Sequence, residues 1–153
     1  MWRTLLTALL LTACTSHPSE KPSIAEMVGT YGMDAKSVAM LTNEKGYSTT
    51  HVSPSIQLFA DGSIAIKDLP DCYTDGFGQG HGKYLQGSGK WEVEKSDFGY
   101  GITVTVSPGG SLASGFYHAS SIIIVGKKPP YSLRFSIGDP DQDEFIAYAR
   151  KGS

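Results

Sequence analysis

Residues 55–69, Ser-Ile-Gln-Leu-Phe-Ala-Asp-Gly-Ser-Ile-Ala-Ile-Lys-Asp-Leu, are the stretch that decides the fold class. Apolar residues alternate with the others through residues 55–60 and again through residues 63–69. That period of two is typical of a β-strand with one buried face. Asp61-Gly62 between the two runs is the dipeptide of a tight hairpin turn with two positive-φ positions. The stretch therefore predicts an antiparallel β-hairpin.

The same alternation continues on both sides of this hairpin. Residues 30–33 are expected to start the first strand, and the later runs are residues 89–94, 102–106, 131–137 and 144–151. In the run that contains Trp91, the side chain of Trp91 should point inward and that of Glu92 into water. Ile122-Ile123-Ile124-Val125 is predicted to be a strand buried on both faces.

Short alternating strands joined by turns, without a long helix between them, predict an all-β fold. The expected architecture is an antiparallel up-and-down meander that forms a small barrel or a sandwich. Closure into a barrel is the more economical way to hide the strand edges. Helical signals are few: the capping-box spacing of Ser23 and Glu26 predicts a short N-terminal helix. Asp34 is placed to cap another, but residues 34–41 fit either period, so helix and loop both remain open.

The first residues have the layout of an export signal. Arg3 precedes an apolar run over residues 5–11 that is too short to span a bilayer, and small residues follow it. Leu11-Thr12-Ala13-Cys14 resembles the lipobox of bacterial lipoproteins. The resemblance implies that residues 1–13 are a lipoprotein signal peptide and that Cys14 becomes the mature N-terminus. Its sulfur would then carry a diacylglycerol, and a further acyl chain on its amine would make the attachment firm.

The remaining chain divides into a lipidated tether, residues 14–23, and a single β-domain, residues 24–153. The tether is polar and carries Pro18 and Pro22. Within the lipoprotein resemblance, Thr15 after the cysteine favours the outer membrane, facing the periplasm, in a Gram-negative cell. The formal charge of −2 and the lack of a basic stripe give no support to nucleic-acid binding.

Several motifs of the β-domain together resemble a widespread group of small exported bacterial proteins, many of them lipoproteins, for which no activity is assigned. The motifs are Val28-Gly29-Thr30-Tyr31, Asp61-Gly62, Asp68-Leu69-Pro70, Gly87-Ser88-Gly89-Lys90-Trp91, Pro130-Tyr131-Ser132-Leu133 and Ile137-Gly138-Asp139-Pro140-Asp141. The layout is also similar to lipocalin-like and other calycin-type barrels. That likeness implies a barrel fold, which would need about eight strands, and at most a cavity, because a fold alone does not specify a function.

Cys72 and His81 are the residues that suggest catalysis. If Cys14 is lipidated, Cys72 has no partner in the chain for a disulfide. It lies with His81 in a glycine-rich region, where a thiol and a neighbouring base are conceivable. No known spacing is matched, however, and the glycines leave the loop too floppy to hold the pair without outside help. A packed thiol is the favoured interpretation.

Asp139, Asp141 and Asp143 resemble the start of a calcium loop. The pattern then fails, because Glu144 stands where glycine is needed and Arg150 where a bidentate glutamate belongs. A solubilised hairpin tip is favoured over a metal site, and no cofactor is expected.

Six aromatic residues outside the main strand runs are candidates for a ligand mouth or a partner surface, although most such rings simply cap a core. They are Tyr73, Phe77, Tyr84, Tyr100, Phe116 and Tyr117. The sequence thus predicts a lipid-anchored, non-enzymatic binding or interaction module of the cell envelope. Its partner would be an envelope protein, a toxin or a small apolar ligand. The alternative is a thiol-dependent or hydrolytic enzyme that uses Cys72 and His81.

Overall fold

The computed structural model describes residues 17–74, 78–114, 122–138 and 144–152. Eight antiparallel strands form a closed barrel in chain order, in which the last strand pairs with the first. The strands are β1 (Gly29–Met33), β2 (Ser55–Leu58), β3 (Ser63–Pro70), β4 (Tyr84–Ser96), β5 (Gly99–Val106), β6 (Ile122–Val125), β7 (Ser132–Ser136) and β8 (Phe145–Arg150). The predicted all-β meander is confirmed, and it closes as a barrel rather than packing as a sandwich.

Two α-helices of the described residues accompany the barrel: α1 (Ile24–Met27) and α2 (Ala35–Asn43). The capping box expected at α1 is present, with the Glu26 carboxylate accepting from the Ser23 N–H at 2.8 Å. The Asp34 carboxylate caps α2 by accepting from the Ser37 N–H at 2.7 Å, which decides the open choice there in favour of a helix. Neither of these described helices is long and apolar enough to cross a membrane.

The β2–β3 hairpin forms as predicted, with Ile56 opposite Ile66 and Leu58 opposite Ile64. Its turn differs from the expected one, because only Gly62 has a positive φ, of 77°, and Asp61 does not. β2 ends at Leu58, so the loop is longer than two residues and needs only one left-handed position. The Asp61 carboxylate instead accepts from the Ser63 N–H at 2.9 Å.

Inward side chains from all eight strands fill the barrel. Trp91 and Val93 are buried while Glu92 is exposed, which confirms the predicted register of β4. The strand of residues 122–125 has one fully buried face, and its outer residues are half-buried. The prediction of burial on both faces was wrong because the outer face of a single-layer barrel is not covered by a second layer.

The connections differ in length between the two ends of the barrel. Because successive antiparallel strands reverse direction, connections 34–54, 71–83, 107–121 and 137–144 all lie at one end, here called the long-loop end. Connections 59–62, 97–98 and 126–131 lie at the other, the short-turn end. The chain enters β1 from the short-turn end, so the N-terminal segment lies opposite the long loops.

Helix α1 covers the short-turn end of the barrel. Met27 is fully buried, and its carbonyl accepts from the Tyr31 hydroxyl at 2.8 Å. The Arg150 guanidinium donates to the Glu26 carbonyl at 3.0 Å and to the Val28 carbonyl at 2.6 Å. A cation at the C-terminal end of a helix satisfies carbonyls that have no partner within the helix. These bonds fix α1 to the first and last strands.

Residues 17–23, the described part of the predicted tether, lie against the barrel. Pro18 and Pro22 are buried, and the His17 Nδ1 is 3.3 Å from the Ile124 carbonyl oxygen. Proline presets an extended chain and offers an apolar ring, so this segment can follow the barrel wall. Residues 1–16, including the predicted signal peptide and Cys14, lie outside the described residues.

Candidate functional site

Asp71 is the centre of the hydrogen-bond network at the long-loop end. It follows β3 directly, and its buried carboxylate accepts from the Tyr47 hydroxyl at 2.5 Å. The carboxylate also accepts from the N–H of His81 at 3.0 Å and from the N–H of Lys83 at 3.1 Å. The Asp71 N–H donates in turn to the Lys83 carbonyl at 2.9 Å. Asp71 therefore holds residues 78–83 in place, although their glycines alone would predict a floppy loop.

Tyr47 joins this network to the connection that follows α2. Its hydroxyl accepts from the Cys72 N–H at 2.8 Å while donating to Asp71. Burial, together with the hydrogen bond to Asp71, raises the pKa of Tyr47 well above the ordinary value for a tyrosine. The Tyr47 ring meets Tyr84 edge-on with centroids 5.6 Å apart, and the Tyr84 hydroxyl donates to the Ser48 carbonyl at 3.1 Å. Two of the long connections are thus linked at several points.

Gly80 allows the close approach that this network requires. Its φ is +68°, and a Cβ there would collide with the Tyr47 hydroxyl oxygen and lie 2.7 Å from the Cys72 nitrogen. Gly78 plays a similar part at a second contact, since its Cβ would lie 2.6 Å from the Ile137 side chain. The glycine-rich loop is therefore close to both the 34–54 and the 137–144 connections, and at these two positions glycine is required by space as well as by conformation.

The environment of Cys72 does not favour a nucleophile. Cys72 is a free cysteine with no exposed surface. Burial is the largest of several opposing influences on the Cys72 thiol, and it raises the pKa of that group. A nucleophilic cysteine needs access and a stabilised thiolate, and His81, the proposed base, is exposed and bound to Asp71 through its backbone. The packed-thiol interpretation fits these contacts better.

The structure separates the predicted aromatic residues. Tyr73 is at the long-loop end, where its ring meets Phe135 edge-on at 4.7 Å, and Tyr84 lies at the same end. Tyr100 lies opposite Lys95 beside the 97–98 turn, at the short-turn end. The three described candidates therefore do not form one mouth. Phe77, Phe116 and Tyr117 lie outside the described residues.

A cleft between α2 and β8 is a feature that the sequence did not reveal. The cleft is open to solvent and has a volume of about 340 Å³. It is lined by Lys36, Ser37, Ala39, Met40, Asn43, Glu44, Glu144 and Phe145. The Ser37 hydroxyl accepts from the Ala147 N–H at 2.9 Å, and Lys45 forms a 2.8 Å salt bridge with Glu144. These contacts hold the helix on the barrel wall beside the cleft.

Phe145 is the aromatic surface of this cleft. The Arg134 guanidinium carbon lies over its ring, 3.5 Å from the ring centroid, and the Lys36 ammonium lies 5.7 Å from the same centroid. A cation over an aromatic face is attracted to it, so these contacts favour the observed orientation of the Phe145 ring. The cleft thus combines an oriented ring, the Met40 side chain and charges of both signs.

Tyr148 places a polar atom in the barrel core. The side chain is fully buried, and its ring is tilted against Phe135 with centroids 5.3 Å apart. Its hydroxyl has no hydrogen-bond partner among the described residues. Burial raises the pKa of Tyr148 far above the ordinary value, so the hydroxyl stays protonated.

No group of three or more histidine, cysteine or acidic side chains among the described residues is placed to hold a metal ion. Asp139, Asp141 and Asp143 lie outside the described residues, so the choice between a turn and a calcium loop stays a prediction. Comparison of the chain with family models, with curated proteins and with solved structures found no match.

Proposed function

We propose that this chain is a lipid-anchored lipoprotein of the cell envelope and that its barrel is a non-enzymatic interaction module. The observation that carries the proposal is the separation of the two ends. The N-terminal segment lies at the short-turn end, with His17 beside Ile124, whereas the long connections lie opposite. A lipid on Cys14 would thus hold the short-turn end towards a membrane and leave the long-loop end free.

The long-loop end suits recognition because hydrogen bonds and a salt bridge join the described residues of three of its connections. Asp71, Tyr47 and Tyr84 tie two connections together, and Lys45 with Glu144 ties in a third. Loops that are ordered before binding lose less conformational entropy when a partner arrives. This arrangement supports recognition of a partner by a preformed surface.

The cleft beside α2 favours a protein partner over a small apolar ligand. It is open at the surface and mixes Phe145 and Met40 with Lys36 and Glu44. Binding surfaces for proteins are enriched in aromatic residues, methionine and arginine. The barrel interior, where a small apolar ligand would otherwise sit, holds large side chains that include Tyr31, Phe135 and Tyr148. An envelope protein or an exported toxin fits this chemistry.

Replacement of Cys14 tests the anchor. The thioether to diacylglycerol requires sulfur, so Cys14→Ser should leave the protein without lipid, and metabolic labelling with a fatty acid should detect none. Cys72→Ser is the matched control, because it makes the same change at the buried cysteine and should keep the lipid. Equal labelling of both variants would reject the lipoprotein assignment.

Site-specific photo-crosslinking in intact cells tests the interaction surface. A photoreactive side chain at Lys36 in the cleft should give a discrete, saturable adduct with one envelope or exported protein. The same substitution at Lys90, which is exposed on the barrel wall between β3 and β5, is the control. Adducts of equal yield from the two positions would show that the cleft is not a specific surface.

A further inference from the structure

The short-turn end carries the large apolar side chains that the described part of the barrel leaves exposed. Phe98 is 71% exposed, Ile24 52% and Phe59 37%. Phe98 lies in the 97–98 turn, Phe59 begins the 59–62 connection, and Ile24 is the first residue of α1. Three such side chains at one end of a small domain are typical of an interaction surface rather than of scattered exposure.

Residues 17–24 connect these three positions. A Cβ on Gly99, next to Phe98, would lie 3.3 Å from the His17 Cβ, so the segment passes beside this turn. At its other end, Ile24 shares a shallow groove with Trp91, and the Trp91 indole N–H donates to the Phe59 carbonyl at 3.2 Å. The exposed apolar side chains thus follow the path by which the chain reaches the barrel.

Lysines surround this apolar path. Lys21, Lys127 and Lys128 are exposed and line one groove at the short-turn end, and Lys95 and Lys151 are exposed nearby. The acidic groups at or near this end are Glu20, Glu26, Asp61, Asp97, Glu94 and Glu92, the last of which lines the groove that Ile24 shares with Trp91. The Glu26 carboxylate already accepts a hydrogen bond from Ser23, and the Asp61 carboxylate accepts one from Ser63. Among the described residues, these lysines form no salt bridge, so their long side chains are available to an external anion.

We propose that the short-turn end docks directly onto the headgroup region of a phospholipid bilayer. Phe98, Ile24 and Phe59 would contact the acyl boundary, while the Lys127-Lys128 turn would meet anionic phosphates. This inference rests on the proposed lipid anchor, because residues 14–17 span no more than about 11 Å even when fully extended. A lipid on Cys14 therefore leaves little room between the bilayer and this end of the barrel.

Depth-dependent fluorescence quenching tests the docking. The full protein isolated from membranes is reconstituted in vesicles of phosphatidylcholine and phosphatidylglycerol with bromine on the acyl chains. Emission of Phe98→Trp should fall about twofold relative to unbrominated vesicles, because an interfacial indole reaches the brominated region. Ser136→Trp is the control, since Ser136 is exposed at the last residue of β7, at the long-loop end. The unsubstituted protein gives the background of the buried Trp91 and of Trp2 where the first residues are retained.

A charge reversal separates the apolar and electrostatic parts of the proposal. Lys127→Glu with Lys128→Glu should lower the quenching of Phe98→Trp in vesicles that contain phosphatidylglycerol. Lys67→Glu with Lys83→Glu makes the same change in net charge at exposed positions away from the short-turn end and should leave the quenching unchanged. Equal effects of the two pairs would show that only overall charge matters and would overturn the lysine contact.

The outcomes keep the docking and the anchor apart. Lipid labelling that depends on Cys14, with no quenching of Phe98→Trp, would retain the anchor and reject the docking. Quenching of Phe98→Trp in a protein that keeps Cys14 but shows no lipid labelling would retain the docking and reject the anchor. Self-association that depends on protein concentration and is abolished by Phe98→Ser, again without quenching, would show that a second copy covers this surface instead.

Discussion

Removal of one hydroxyl group should show how strongly the long loops depend on Asp71. The change is Tyr47→Phe, which keeps the buried ring and its contact with Tyr84 but removes the oxygen between Asp71 and Cys72. The bond to the carboxylate contributes about 1.5–3 kcal/mol, as for hydrogen bonds to charged groups. The Cys72 N–H would also lose its acceptor, and a buried unsatisfied donor costs about 1–3 kcal/mol. The two terms together give an expected loss in the free energy of unfolding of about 2.5–6 kcal/mol.

Tyr84→Phe is the matched control for this prediction. It removes the same atom from the neighbouring ring, but the Tyr84 hydroxyl donates to a single carbonyl, that of Ser48, near solvent. Its loss should cost no more than about 1 kcal/mol. Because the two rings touch, a change in ring packing would affect both variants, and the difference isolates the surroundings of the hydroxyl.

Urea unfolding followed by circular dichroism measures both free energies of unfolding. Hydrogen exchange adds a local measurement, since the His81 and Lys83 amides that bond to Asp71 should exchange faster in Tyr47→Phe. Equal destabilisation by Tyr47→Phe and Tyr84→Phe, with unchanged exchange at these amides, would refute the central role of the Tyr47 hydroxyl.

Three further predictions test the loop and the barrel. Gly80 and Gly82 both have a positive φ near 70°, but a Cβ on Gly80 would collide with the Tyr47 hydroxyl whereas nothing lies within 4 Å of a Cβ on Gly82. Gly80→Ala should therefore cost far more stability than Gly82→Ala, and equal urea midpoints would contradict this. The Cys72 thiol, buried and with a raised pKa, should resist a disulfide reagent at about pH 8 until urea unfolds the protein, since the thiolate is the reactive form; rapid reaction of the native protein would contradict this. Trp91→Ala should cost about 3–5 kcal/mol and Glu92→Ala less than about 0.5 kcal/mol; equal melting temperatures would mean that the assumed register is wrong.

The barrel strands could be predicted because their signal is local. Alternation predicts which residues face inward, and Trp91, Ile56 and Ile64 are buried where that period places them. The Tyr47–Asp71 contact could not be predicted, since its partners are 24 positions apart and Tyr47 lies in a stretch with no apolar period. Gly80 lies among closely spaced glycines, a pattern that predicts flexibility but that also marks a close approach of two backbones.

The placement of Tyr100 could have been improved from the sequence alone. Successive connections in an up-and-down meander alternate between the ends, so a residue beside the β4–β5 turn cannot share a mouth with Tyr73, which follows β3. The cleft beside α2 was less accessible, because Asp34 gave only an ambiguous helix signal. The contact of Ser37 with Ala147 joins positions 110 apart in the chain, and no local pattern predicts such a pair.

The double pairing of β1 determines how the barrel would respond to a mechanical pull on its N-terminal side. Tyr31 is paired with Ile56 of β2 on one side and with Arg150 of β8 on the other. A force along the strand would therefore load both ladders in shear at once, so that their hydrogen bonds must break together rather than one by one. Before that happens, the His17 contact can peel away and the Arg150 bonds to α1 can yield. Tension would thus be absorbed first by this outer segment, and the barrel should open only at a distinctly higher force.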